Sequence, residues 1–80
     1  MDIKKKIGSR IKALRLINKL TQEALAFKAG IDKTYVNEVE NGKRNISIVN
    51  LEKIIVALDQ EFNTFFDDLV FSKNSPTNGE

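Results

Sequence analysis

The sequence predicts an all-α domain of five short helices. Three observations carry this reading. Apolar residues recur three and four apart along most of the chain. Thr21, Asp32 and Ser47 each stand where a helix needs an N-terminal cap. Gly30 falls in a tight turn between two of the apolar runs.

Ile3, Ile7, Ile11 and Leu14 share one face of a first helix, with Lys5, Lys6, Ser9, Arg10 and Lys12 as the polar residues between them. This helix fades near Asn18 and Lys19. Thr21 caps a second helix that opens with Gln22-Glu23-Ala24-Leu25-Ala26, and Glu23 suits the positive helix end. Gly30 stops it, because a C′ residue often adopts the left-handed conformation. Asp32 caps a third helix at once. Val36 and Val39 mark its buried side, with Tyr35 beside them, and Lys33, Thr34, Asn37, Glu38 and Asn41 face outward. Two short helices joined by a tight glycine turn form a helix-turn-helix.

Asn41-Gly42 ends the third helix, and Lys43-Arg44-Asn45 forms a polar loop. Ser47 caps a fourth helix with an apolar face of Ile48, Leu51, Ile54, Ile55 and Leu58. A fifth helix is expected from about Glu61 to about Val70, carrying Phe62, Phe65, Phe66 and Leu69. Residues 1–71 thus read as one domain. Ser72 to Glu80, polar with Pro76 and Gly79, reads as a flexible tail.

Eighty residues suffice for a single domain. The absence of cysteine and histidine removes disulfides and makes a structural zinc site unexpected. Stability must come from apolar packing, aided by a partner subunit. Residues 1–31 carry a net +6, residues 32–46 are neutral, and residues 47–80 carry −4. A basic half suits a polyanion and leaves the acidic half for something else. No run approaches the roughly 18 apolar residues of a membrane span, and no targeting signal is evident, so a cytoplasmic location is expected. Catalysis is not expected without histidine, cysteine or a glycine-rich phosphate loop. On the expected fifth helix, Asp67 and Asp68 would diverge by about 100° and form no carboxylate dyad.

The segment LTQEALAFKAGIDKTYVNEVENGKRNISI, Leu20 to Ile48, resembles the Cro/cI-type helix-turn-helix family of bacterial and phage regulators. Its matching elements are Thr21–Ala26, Ala29-Gly30-Ile31, the Asp32 cap, Val36 with Val39, and Glu40-Asn41-Gly42-Lys43-Arg44. The flanking helices agree in placement from about Ile7 to Leu69. Within the family, the small restriction–modification controller proteins look closest, on Asp32-Lys33-Thr34-Tyr35 and the paired Phe65-Phe66. The resemblance implies a λ-repressor-like fold and a sequence-specific transcription regulator of double-stranded DNA, either repressor or activator.

On that reading, base contacts fall to Lys33, Thr34, Asn37 and Glu38. Lysine donates to guanine, threonine offers a methyl to thymine, asparagine pairs with adenine and glutamate accepts from cytosine. A glutamate near phosphates is otherwise unfavourable, so Glu38 either reads a base or points away. Gln22 holds the position that bonds a phosphate in the family, beside a positive helix end. Asn41, Lys43 and Arg44 flank the second backbone contact, and Tyr35 either joins them or packs on the domain. The family also implies a structural ion pair between Arg15 and Glu40.

Val49 and Val56 stand where related sequences carry polar residues. With Phe62, Phe65, Phe66 and Leu69 they predict a homodimer interface. A two-fold dimer would present recognition helices to half-sites about one DNA turn, ~34 Å, apart. No cofactor, metal, small-molecule ligand or membrane partner is expected, and RNA polymerase is a partner if the protein activates. Two other functions remain open: an antitoxin that binds DNA and a toxin, and a protein-interaction module using the acidic, aromatic half. The basic half and the complete Gln22–Arg44 constellation argue against the second of these.

Overall fold

The computed structural model describes residues 2–73. It contains α1 (Ile3–Ile17), α2 (Gln22–Ala29), α3 (Lys33–Glu40), α4 (Ile48–Ala57) and α5 (Phe62–Phe65), followed by a 3-10 turn at Leu69–Phe71. Residues 74–80, most of the tail expected to be flexible, lie outside the described residues.

Short polar side chains start the helices. The Asp2 carboxylate accepts from the Lys5 N–H at 3.0 Å. Thr21 Oγ1 accepts from Ala24 at 3.0 Å, Asp32 Oδ1 from Thr34 at 2.8 Å and Ser47 Oγ from Asn50 at 3.1 Å. Each bond satisfies an amide that the first turn leaves without a partner. Gly30 ends α2 at φ 71°. That conformation lets the Ile31 N–H return to the Ala26 carbonyl at 3.0 Å, so α3 can begin within one short turn.

Ile11, Leu25, Val36, Ile54, Leu58 and Phe65 are fully buried where α1 through α5 converge. Removing such a side chain from water contributes roughly 1.5–3 kcal/mol. Gly8 sets the distance between α1 and α3. A Cβ there would collide with the Val39 and Glu40 carbonyl oxygens at the end of α3. The α1 backbone therefore lies directly on the C-terminal end of α3.

The periodic pattern overreached in three places. Ile3 and Ile48 are exposed, because each sits in the first turn of its helix, beyond the edge of the core. The fifth helix is one turn long and does not reach Val70. Arg10 stops it: its Nε donates to the Phe65 carbonyl at 2.7 Å and its Nη2 to the Thr64 carbonyl at 2.9 Å. Asp68 then caps the 3-10 turn through the Val70 N–H at 3.0 Å. Phe71 folds back onto Phe66, with ring centroids 4.9 Å apart. Asp67 and Asp68 therefore lie in a turn, off any α-helix.

Candidate nucleic-acid interface

The site begins inside the domain. Arg15, in the last turn of α1, and Glu40, the last residue of α3, meet in a bidentate pair: Nε–Oε2 2.6 Å and Nη2–Oε1 3.0 Å. Their side chains are 10% and 2% exposed. The remaining Arg15 amino group donates to the Leu20 carbonyl at 2.8 Å, which ties down the entry to α2. A planar guanidinium suits this arrangement because it offers donors in a fixed fork.

A chain of amides leads outward from that pair. Gln22 Nε2 donates to Glu40 Oε1 at 3.0 Å. Asn37 Nδ2 donates to Gln22 Oε1 at 3.2 Å, and Asn41 Nδ2 donates to Asn37 Oδ1 at 3.3 Å. Gln22, at the first turn of α2, is thus fastened to α3 by its own side chain. Sequence reasoning missed these links, because each of these residues looked like an independent polar group.

Lys33 and Thr34 are exposed at the start of α3, and Asn37 and Asn41 follow on the same outward face. Lys43 is exposed in the loop after α3. Arg44 turns back from that loop. Its Nε donates to Glu38 Oε1 at 2.8 Å, and its guanidinium carbon lies 4.8 Å from the Tyr35 ring centroid. The bond to Glu38 raises the Arg44 pKa above its ordinary value, so the cation stays charged. Tyr35 is half-buried and serves as the platform for that guanidinium.

The six residues expected at a dimer interface separate. Val49, Val56, Phe62, Phe66 and Leu69 are exposed, Leu69 by 74%. Phe65 is fully buried and cannot reach a partner; its ring stacks edge-on to Phe66 at 5.0 Å inside the domain. Arg10 supports this region and was not singled out by sequence reasoning. Its partners lie some 55 positions away, and local pattern gives no sign of them. Phe27, on the outer side of α2, is 88% exposed.

Among the described residues no three His, Cys, Asp or Glu come together as metal ligands. No helix among them is long and apolar enough to cross a membrane.

A capped helix, a left-handed glycine and a second helix fastened through Gln22 and Glu40 define a helix-turn-helix domain. The chain belongs to the helix-turn-helix family, whose profile matches residues 11–65, and this places it among transcription regulators. The control protein C.MunI of a Mycoplasma species is 44% identical over 69 residues, covering 85% of this chain and 93% of that protein. The restriction–modification controller protein C.AhdI from Aeromonas hydrophila superposes with a TM-score of 0.76 at 46% identity, covering 79% of this chain and 96% of that one. C.Esp1396I, seen as a tetramer on its natural 35 base-pair operator, superposes with a TM-score of 0.78 at 36% identity over 82% of this chain and 87% of that one.

Proposed function

We propose that this regulator binds a pseudo-palindromic operator as a homodimer and controls transcription in the manner of a restriction–modification controller. The observation that carries the reading is the continuous linkage from the buried Arg15–Glu40 pair through Gln22 to Asn37 and Asn41. It prearranges the outward face of α3 before any ligand arrives. Lys33, Thr34, Asn37 and Glu38 are the base-contacting candidates; Gln22, Tyr35, Asn41, Lys43 and Arg44 surround them toward the phosphates. Gln22 donates one amide proton to Glu40, so a phosphate contact would use its other one.

The exposed apolar residues Val49, Val56, Phe62, Phe66 and Leu69 support the dimer, because they lie on the C-terminal elements and offer apolar surface that a second copy would remove from water. Regulation then follows protein concentration through the monomer–dimer equilibrium. Likeness to control proteins over most of the chain favours this reading over an antitoxin.

Selection from random duplex DNA, followed by sequencing, tests the proposal. A palindromic motif is expected, weakened by Lys33→Ala. Sedimentation of Val56→Glu should show monomers where the wild type shows dimers. Absence of any enriched motif with the wild-type protein would remove the reading.

A further inference from the structure

Glu38 is an anion on a face otherwise suited to phosphates. Its side chain is 39% exposed, and the side chain of Arg44 is 50% exposed. Arg44 belongs to the loop after α3, yet it is held from two sides by α3 itself. The Glu38 carboxylate takes its Nε proton, and the Tyr35 ring lies under its guanidinium. Tyr35 and Glu38 are three residues apart, so they are neighbours on one helix face.

The ion pair uses only Oε1 of Glu38 and Nε of Arg44. Both terminal amino groups of Arg44 keep their donors, and Oε2 of Glu38 keeps its lone pairs. A guanidinium buttressed at Nε presents those amino groups as a fork that fits guanine O6 and N7. A carboxylate oxygen accepts from cytosine N4. One G·C base pair carries both partners on its major-groove edge.

We infer that Glu38 and Arg44 act as a single reader of one G·C base pair in each half-site, with Glu38 as the residue that positions the Arg44 fork. This rests on the operator-binding reading above and moves Arg44 within it from the phosphates to a base edge. The pair is neutral, so a closed pair adds no cation to the face that attracts any DNA. Glu38 therefore trades general affinity for selectivity. Opening the pair frees Arg44 for phosphates, and each phosphate neutralised steepens the salt dependence by about 0.9 in log–log slope.

The test compares wild type, Glu38→Gln and Arg44→Ala by selection from random duplex DNA and by salt titration on one non-operator duplex. Thermal melts confirm that each variant folds. Wild type should enrich G·C at one position per half-site. Both variants should lower that preference by roughly tenfold at that position and leave the others intact, since a bidentate contact is lost. Glu38→Gln should also bind the non-operator duplex more tightly, with a slope steeper by about one phosphate. A Glu38→Gln motif identical to wild type at every position would overturn the inference while leaving operator binding standing. A wild type that enriches no motif would fail the operator reading itself and the paired reader with it.

Discussion

Two glutamates two residues apart on α3 each take an arginine, and the bonds are nearly the same length: 2.6 Å for Glu40–Arg15 and 2.8 Å for Glu38–Arg44. Water separates their roles. The first pair is almost wholly enclosed, 10% and 2% exposed; the second is open, 50% and 39%. An enclosed charge that loses its partner has nothing to solvate it, so the pair is costly to break. An open pair is screened, and each member can be solvated alone, so its energy is small and its partners are exchangeable. The same chemistry is scaffold in one place and available to a ligand in the other.

The largest effect should come from breaking the enclosed pair. Glu40→Gln or Arg15→Met should destabilise the domain by about 3 kcal/mol. In a domain this small that lowers Tm by more than about 10 °C, read by circular dichroism. The double variant should lose less than the sum of the singles, because the second change removes an already orphaned charge; additive losses would show that the two residues do not act as a pair.

A third pair tests the middle of the range. Arg10 and Asp68 are 3.4 Å apart, with side chains 14% and 41% exposed. Arg10→Met should cost about 1–2 kcal/mol, mostly through the Thr64 and Phe65 carbonyls it leaves behind. It should also weaken dimerisation in sedimentation experiments, since those carbonyls close the turn that carries Phe66. Glu38→Gln should leave Tm unchanged; a large loss would mean that the open pair is structural after all.

The smallest effect belongs to Asp2. Its bond to the Lys5 N–H holds the carboxyl below the usual carboxylate range. A depressed folded-state pKa gives stabilisation that is present above the unfolded value of 3.8 and lost as pH falls through the lower folded value. Asp2→Asn should therefore lower stability slightly at neutrality, where the charged carboxylate contributes, and abolish the slight acid-induced loss of helix signal below pH 3.8.

Local features of this fold were legible in the sequence. Thr21, Asp32 and Ser47 cap because their side chains need only reach an amide two or three residues ahead. The outward face of α3 follows from the same short-range periodicity. The end of α5 does not, because it depends on Arg10 arriving from the far end of the chain. The role of Phe65 was misjudged for a related reason. Adjacent residues of a helix diverge by about 100°, so only one of the pair can face a partner, and the packing of α5 against the distant helices commits Phe65 to the core and leaves Phe66 outside. Gly8 carried no signal at all, since a glycine within a helical run looks like a tolerated defect until the neighbouring helix is in view.

That glycine has a mechanical consequence. With no side chain between them, α1 and the carbonyl end of α3 rest backbone against backbone, and the enclosed Arg15–Glu40 pair bolts the same joint. A joint of this kind has little compliance: α3 cannot tilt or slide to accommodate an imperfect groove. Any mismatch in curvature falls on the more pliable body, the duplex, and sequences that bend readily are favoured even at steps no side chain touches.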